Sequence, residues 1–465
     1  MRRFDLSKVL FYGVVGVVAF GLVFGYGLYA GAKRTPVFLA TFGAAKSIAD
    51  SLVLVMTETP TLTGVRPTHF LQPARHVGEG VVVNEVAGGE DELILLSGFF
   101  EDSNELRLIR RDGSIVRRWP VRFSELFPDT SHLEILPATD WNIETHGALA
   151  MPDGSVVFNF EYGGLVKLDR CGEVAWTLRR QTHHSVERAE GGGFWVPGRR
   201  YHPAGSPSPF PPFTTPYYED TVLKVSDAGE VLSEISVPRL LYENGLETLL
   251  TANGEPLWVD NVWDNEIVHL NKIGELTSDI APDFPDFAAG DLALSLRTYN
   301  MTLVFDPDSR KIKWRRIGPW RRQHDPEFKA GGTIVLFNNN LYVDVFRDNR
   351  FHSDLDIPPV SNVIEVDPAT DETRVIYGER RGQELVSVVR GKLELTPRGG
   401  LLITEYEAGR VLETDAGGRT IWSYVNRYSA DEVAEITEAR LYDKSYFDVA
   451  DWSCGQKVAE KPLGG

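Results

Sequence analysis

Four histidines occupy similar places in the sequence, each close to the start of a predicted β-strand. His146, His184 and His324 each precede a turn and a hydrophobic run, and His269 begins a run that continues through Asn271. Side chains at one repeated structural position converge in a repetitive fold, so we expect these histidines to share a site. Neutral imidazole is a nucleophile and a proton carrier near neutral pH. The pattern therefore predicts nucleophilic or acid–base chemistry.

Two arginines follow these histidines at the ends of the next predicted strands. Arg199 ends the strand after His184, and Arg297 ends the strand after His269. Guanidinium is permanently charged and binds oxyanions through a planar fork. Three histidines can also bind zinc or copper, but a fixed positive charge nearby repels a cation. We therefore predict an anion site with no metal and no cofactor.

Each of these histidines could also have a purely structural role. A single histidine beside a turn usually satisfies backbone groups, and for His146 this interpretation is at least as good as a functional one. A chance arrangement is a poorer explanation for His184, His269 and His324, because all three occupy the same position in their repeated units. The other histidines without a repeated position are predicted to be structural or exposed: His69, His76, His132, His202 and His352.

A recurring unit predicts the elements that position these side chains. An Asp near a turn is followed by a β-run that often ends in Trp, and the copies begin at Asp112, Asp169, Asp227, Asp306, Asp367 and Asp415. Their spacings of 48 to 79 residues suit four-stranded blades with loop insertions. We predict an all-β, six-bladed β-propeller over residues 68–428. The Trp residues are expected to pack between blades, and the insertions at 201–220 and 276–290 to form a rim or lid.

The N-terminus carries 24 uncharged residues between Lys8 and Lys33. At about 1.5 Å per residue this run spans a hydrocarbon core of ~30 Å, and basic residues precede it, as expected for a cytoplasmic N-terminus. A cleaved signal peptide is the competing interpretation, but the run is longer than a usual h-region and no clear cleavage site closes it. We predict a cytoplasmic N-terminus at 1–8, a transmembrane helix at 9–32, and a linker at 33–67 with a short helix at 42–56. The propeller would lie on the periplasmic side of the inner membrane.

The two cysteines and the overall charge bear on the cellular compartment and on the partners of the protein. Cys171 and Cys454 fit an extracytoplasmic compartment as one disulfide, with two unpaired thiols as the alternative. Residues 429–465 are expected to form a short helix, from Ala430 to Leu441, and a tail. The net charge of −18 argues against a nucleic-acid partner, whose phosphates need a basic face.

Several segments resemble the bacterial arylsulfate sulfotransferase family. The matching stretches are Thr182–Glu187, Gly193–Arg199, His269–Asn271, Gly290–Arg297, Gln323–Asp325 and Leu402–Glu405. They are spread over about residues 65–450, and their order and spacing carry more weight than any one of them. The resemblance implies a six-bladed propeller that is periplasmic or anchored to a membrane.

The resemblance also implies a reaction. A histidine is sulfated by an aryl sulfate and then passes the sulfuryl group to a phenol, without 3′-phosphoadenosine 5′-phosphosulfate. By motif, His324 corresponds to the nucleophile, His269 to a second active-site histidine and Arg297 to the active-site arginine. His184 corresponds to the remaining histidine, with His183 as the alternative at that place. The residues expected to contact substrate are His183, Arg199, His146 and Asn271.

Two departures from the family pattern bear on acceptor preference. Leu393 stands where many relatives have a histidine, and Asn339 occupies a position that is usually aspartate-like. The competing functional class is a non-catalytic propeller that uses the same pocket to bind an anionic ligand or a protein partner. A metal or quinone enzyme is a third class. We expect small phenolic sulfates and phenols as the substrates.

Overall fold

The computed structural model describes residues 6–33, 59–210, 213, 215–252, 266–344, 350–352 and 361–454. The chain divides into two compact units, Met1–Thr68 and His69–Gly465. The first unit contains helix α1 (Leu6–Ala32). Among its described residues, the second contains the β-sheets and the short helices α2 (Phe123–Leu126), α3 (Val237–Glu243) and α4 (Glu247–Ala252).

The predicted transmembrane segment coincides with α1. Within the described ranges, no helix has the length and apolarity needed to cross a membrane. The prediction of a single-pass helix at 9–32, and of the inner-membrane location that depended on it, is therefore contradicted. The short helix expected at 42–56 lies outside the described residues.

Six antiparallel sheets of the second unit form the six blades of a β-propeller. The strands of blades 1 to 3 are β3 (Glu92–Phe100), β4 (Ser103–Arg110) and β5 (Ile115–Val121); β6 (Thr145–Ala150), β7 (Val156–Phe160), β8 (Gly164–Leu168) and β9 (Val174–Leu178); and β10 (Glu187–Arg188), β11 (Phe194–His202), β12 (Tyr217–Val225) and β13 (Val231–Ser236). Those of blades 4 to 6 are β14 (Leu270–Glu275), β15 (Leu292–Leu296), β16 (Met301–Phe305) and β17 (Ile312–Ile317); β18 (His324–Lys329), β19 (Thr333–Asn338), β22 (Asn362–Val366) and β23 (Thr373–Tyr377); and β24 (Lys392–Leu395), β25 (Leu401–Glu405), β26 (Arg410–Thr414) and β27 (Thr420–Val425). The prediction of an all-β, six-bladed propeller is confirmed.

Six further strands are described in the second unit, and two of them join blades from the two ends of the chain. They are β1 (Leu71–Pro73), β2 (Gly80–Asn84), β20 (Tyr342–Asp344), β21 (Arg350–His352), β28 (Glu432–Ala434) and β29 (Ile436–Asp443). Strand β29 pairs with β3 and becomes the innermost strand of blade 1, while β2 adds a fifth strand to the outer edge of blade 6. Strands β1 and β28 pair with each other, and β20 pairs with β21 in a separate antiparallel sheet.

The helix predicted from Ala430 to Leu441 is wrong, because that stretch forms β28 and β29. Its Glu, Ala, Leu and Arg residues favour a helix locally. However, blade 1 has only three strands from its own part of the chain, and the inner edge of β3 would otherwise stay unpaired. Pairing along Ile436–Asp443 satisfies that edge. The long-range pairing therefore overrides the local preference.

The repeated Asp turns each join the third and fourth strands of a blade. Asp169 shows the geometry, since its carboxylate accepts from the backbone N–H groups of Cys171 and Glu173. The Trp on the following strand then reaches the next blade. Trp119 donates to the carbonyl of Asp169, and Trp176 donates to the carbonyl of Asp227. These indoles are inter-blade contacts, as predicted.

Apolar packing lies between the blades and leaves the axis to polar groups. Each neighbouring pair of blades encloses its own cluster of buried hydrophobic side chains, six clusters in the described part of the propeller. This follows from strand geometry, since alternate residues point to opposite faces of each sheet. The insertion at 276–290 joins this packing: the ring of Phe284 lies 5.3 Å from that of Phe328. The insertion therefore packs between blades 4 and 5 and does not form a lid.

The predicted disulfide is present. Cys171 and Cys454 are bonded, with their Cα atoms 5.7 Å apart. Cys171 lies in the turn between β8 and β9, so the bond fastens the C-terminal tail to blade 2. That tail directly follows the strand that closes the ring.

Candidate functional site

The starts of the inner strands have an irregular backbone. Bulges interrupt the ladders between Thr145 and Ala148, and between His324 and Glu327. A bulge bends the strand and re-aims a side chain. His184 and His269 have φ angles of 56° and 58°, a left-handed conformation that is uncommon for residues other than glycine. These distortions turn the side chains toward the axis.

Five histidines meet there, and all are buried: His146, His183, His184, His269 and His324. His184 lies at the centre. Its ring centroid is 4.3 Å from that of His146, 5.0 Å from that of His269 and 5.8 Å from that of His324. The structure thus brings together the histidines that the repeat positions predicted to converge.

His324 is held in one tautomer. Its Nδ1 lies 2.7 Å from Oδ1 of Asn339 and 3.1 Å from the carbonyl of Arg322. The Asn339 amide donates through Nδ2 to the carbonyls of Ser387 and Arg390, so its Oδ1 must face the imidazole. Both partners of Nδ1 are acceptors, and Nδ1 therefore carries the proton. Nε2 is left as a buried lone pair with no hydrogen-bond partner among the described residues.

His269 is fixed from behind by a carboxylate. Its Nδ1 pairs with Glu266, and its Nε2 lies 3.3 Å from Nε2 of His184. Glu266 also accepts from Arg199 at 2.8 Å. The Arg199 guanidinium is sandwiched 3.4 Å from the ring centroid of Tyr162 and 3.9 Å from that of Tyr218. Its contacts therefore hold Glu266, whereas the sequence predicted that it would contact substrate.

The adjacent histidines 183 and 184 both belong to the cluster. Nδ1 of His183 lies 2.7 Å from Nδ1 of His184. The backbone N–H of His184 donates to Nδ1 of His146 at 3.1 Å, so neutral His146 carries its proton on Nε2. On the far side, Nε2 of His183 lies 4.0 Å from Oδ1 of Asp220. The sequence left open which of the two faces the site: His184 is central, and His183 lies behind it.

Two other predicted positions have different roles. Asn271 donates to the carbonyl of Gln323 at 2.8 Å, which ties blade 4 to blade 5. Leu393 packs in the apolar cluster between blades 5 and 6, and Lys392 faces the axis, with Nζ 3.3 Å from the carbonyl of His184. A one-residue change of register exchanges the two faces of a strand. Lys392 therefore faces the axis, and Leu393, at the position where many relatives have a histidine, does not.

The electrostatics keep the imidazoles neutral. Burial and the charge of Arg297 hold the pKa of His324 well below its ordinary value. The same two causes lower the pKa of His269 to about 4, although Glu266 opposes them. Burial is the main cause for His183, whose pKa falls to about 3. At neutral pH these side chains are neutral bases or donors, not imidazolium ions.

Arg297 supplies a fixed positive charge near the cluster. Its backbone N–H donates to the carbonyl of His269 at 3.1 Å. The Nε of its guanidinium is buried and has no hydrogen-bond partner among the described residues. In that same part of the chain, no three His, Cys, Asp or Glu side chains are arranged to hold a metal ion. The site combines neutral imidazoles with a guanidinium.

The sequence reasoning missed Glu266 and Asp220 as supporting residues. Glu266 stands three residues before His269, a spacing that could have indicated a local pair. Asp220 lies on β12 and accepts from the backbone N–H groups of His269 and Leu270, both at 3.0 Å. Its proximity depends on the packing of blade 3 against blade 4, so no local signal identifies it.

Comparisons with solved structures find only remote similarity. A protein of unknown function from Bacteroides caccae is 12% identical, with a TM-score of 0.45, over 76% of this chain and 98% of that one. Virginiamycin B lyase from Staphylococcus aureus is 11% identical, with a TM-score of 0.39, over 80% and 97% of the two chains. A search of curated proteins finds no match.

The family comparison is decisive. The family model described as arylsulfotransferase (ASST) matches residues 147–427. This range includes the clustered histidines except His146, together with the supporting residues Asp220 and Glu266. That match covers more than half of the chain and confirms the resemblance read from the motifs. The chain belongs to the arylsulfotransferase family.

Proposed function

We propose that this protein moves a sulfuryl group from a phenolic sulfate ester to a phenolic acceptor through a sulfohistidine on His324. In the first step the Nε2 lone pair forms an N–S bond while the S–O bond to the donor phenol breaks, and the phenolate leaves. In the second step the acceptor oxygen attacks the sulfur, the N–S bond breaks and the lone pair returns to Nε2. The aryl ester supplies the activated group, so 3′-phosphoadenosine 5′-phosphosulfate is not required.

The observation that carries this proposal is the state of His324. A nucleophilic imidazole must be neutral and must present a lone pair. Asn339 Oδ1 and the Arg322 carbonyl both accept from Nδ1, which leaves the lone pair on Nε2. The depressed pKa of His324, due to burial and Arg297, keeps that lone pair available at neutral pH.

Arg297 and His269 are the proposed electrostatic partners of the sulfuryl group. A sulfuryl group in transfer spreads negative charge over three oxygens, and preorganised donors that meet this charge lower the barrier. The charge of Arg297 acts on both His269 and His324, so it lies where it can stabilise an anion between them. His184, in contact with both rings, is the proposed neighbour of the departing phenol oxygen.

Transfer kinetics test the proposal. The purified protein is mixed with 4-nitrophenyl sulfate and phenol, without any nucleotide, and both nitrophenolate and phenyl sulfate are measured. We expect ping-pong kinetics for the wild type and no transfer by His324→Asn, which removes the nucleophile.

His202→Gln is the matched control. His202 lies on β11 and pairs with Glu219 at 2.6 Å, outside the cluster, so this variant should transfer sulfuryl groups as the wild type does. Nitrophenolate release by His324→Asn at the wild-type rate would refute the proposal. It would favour the alternative, a propeller that binds anions without catalysis.

A further inference from the structure

Three of the clustered imidazoles form a continuous hydrogen-bonded chain. His269 Nε2 lies 3.3 Å from His184 Nε2, and His184 Nδ1 lies 2.7 Å from His183 Nδ1. Carboxylates stand at both ends, Glu266 at Nδ1 of His269 and Asp220 4.0 Å from Nε2 of His183. The proposed sulfuryl transfer involves only His269 and His184 of these three imidazoles.

The partners fix which nitrogen carries each proton. Glu266 is ionised, because the hydrogen bond from His269 and the charge of Arg199 hold its pKa well below the ordinary value despite burial. It therefore accepts from Nδ1–H of His269, and Nε2 of that ring is a lone pair. Nε2–H of His184 then donates to this lone pair, and Nδ1 of His184 accepts from Nδ1–H of His183. The whole chain has one direction, and Nε2 of His183 is its free acceptor end.

We propose that His183 and His184 relay a proton between Asp220 and the phenol oxygen, and that Glu266 sets the direction of the relay by holding the proton of His269. This inference rests on the proposed sulfuryl transfer. When the donor phenolate leaves, it takes Nε2–H of His184. Nδ1–H of His183 moves to Nδ1 of His184, and the Asp220 carboxyl proton moves to Nε2 of His183. A phenolate and a carboxylic acid become a phenol and a carboxylate, so charge and protons balance.

The second half-reaction reverses the movement. The acceptor phenol gives its proton to Nε2 of His184, and the shifts run back until Asp220 is protonated again. Both imidazoles end in their starting tautomers, ready for another donor. Nε2 of His183 and Oδ1 of Asp220 are 4.0 Å apart, which is longer than a hydrogen bond. Proton transfer between them requires the two groups to approach by about 1 Å or a water molecule to bridge them.

The surroundings of Asp220 suit a proton store. Burial and the charge of Glu266 raise its pKa to about 7, while the backbone N–H groups of His269 and Leu270 and the Arg199 guanidinium act in the opposite direction. The facing imidazole of His183 has a pKa of about 3. Near neutral pH the proton therefore resides on Asp220 and not on the histidine.

A comparison of donors tests the relay. Phenol, like tyrosine, has a pKa of ~10 and leaves slowly unless it is protonated, whereas the far more acidic 4-nitrophenol leaves readily as its anion. In His183→Asn, the Asn amide can still donate toward Nδ1 of His184 but cannot pass a proton on. We expect the first half-reaction with phenyl sulfate to slow by about 10²-fold more than that with 4-nitrophenyl sulfate, the scale of a lost general acid.

The controls separate this role from a structural one. Asp220→Asn should change the ratio of the two donors in the same direction. Thr182→Val, a buried neighbour of His183 outside the relay, should leave the ratio unchanged. Equal losses with both donors in His183→Asn and Asp220→Asn would overturn the relay. If neither donor is used by the wild type, the proposed function itself fails.

The wild type gives a test that does not depend on variant folding. Since several protons move in one step, the rate with phenyl sulfate should fall along a curve as the D₂O fraction rises. A straight line would mean that a single proton moves, and would overturn the relay.

Discussion

Asn339 accepts the hydrogen bond that orients His324, and its contacts allow the effect of replacing it to be estimated. Replacing it with Leu removes the nearer of the two acceptors of Nδ1–H of His324, 2.7 Å away, and leaves the carbonyls of Ser387 and Arg390 without this partner. Each buried polar group that loses its partner costs about 1–3 kcal/mol. Nδ1–H keeps the Arg322 carbonyl and the Ser387 carbonyl keeps Ser361 Oγ, so their losses are partial and we expect the free energy of unfolding to fall by roughly 2–4 kcal/mol. We also expect sulfuryl transfer to His324 to slow by about 10- to 100-fold, since about 1.4 kcal/mol is a factor of ten.

Asn338 provides the matched control. It is also buried, accepts from the backbone N–H groups of Arg321 and Asn340, and donates to Asn362, but it does not contact His324. Asn338→Leu should therefore lose similar stability and keep a near-normal rate per folded molecule. The assay is the burst of nitrophenolate from 4-nitrophenyl sulfate, with the folded fraction taken from urea titration. Equal rate losses in the two variants would refute the reasoning, because the effect would then be general destabilisation.

Three further predictions follow from the site and the fold. Arg297→Lys keeps the charge but loses the planar fork, so kcat/KM for aryl sulfates should fall by about 10²-fold; wild-type activity would contradict its assignment. With phenyl sulfate the rate should stay level as pH falls through 6.5, since the pKa of His324 lies well below its ordinary value. The rate should decline as pH rises through about 7, where Asp220 loses its proton. A rate that falls by half near pH 6.5 as the solution is acidified would show that His324 has an ordinary histidine pKa. Cys171→Ser should lower the free energy of unfolding by about 2–4 kcal/mol, measured in urea against the wild type with and without reductant, and an unchanged midpoint would show that the bond to Cys454 stabilises nothing.

The parts of the fold that were predictable are those with local signals. Asx turns at positions such as Asp169 and Asp415 recur because a carboxylate can accept from N–H groups two and four residues later. Those turns mark the third and fourth strands of every blade, so the number of blades could be read from them. The inner strands of a propeller line one axis, and this made the convergence of the histidines predictable.

The incorrect predictions concern long-range pairing and register. The stretch from Ile436 to Asp443 becomes a strand because it pairs with the inner edge of blade 1. The amino-acid composition of this stretch does not indicate that pairing. Lys392 and Leu393 exchange roles through a one-residue register. Arg199 was predicted to bind substrate, but the rings of Tyr162 and Tyr218 and the carboxylate of Glu266, which come from other parts of the chain, hold it.

The most direct test of the central claim is the mass of the protein after reaction with donor alone. The wild type is mixed with 4-nitrophenyl sulfate without acceptor, quenched under mildly alkaline conditions, and measured intact and as peptides. We predict one added sulfuryl group on the peptide that contains His324, lost again when phenol is added, and no addition to His324→Asn. An unmodified wild-type protein that still converts donor and phenol into products, or an adduct on another residue, would contradict a sulfohistidine at His324.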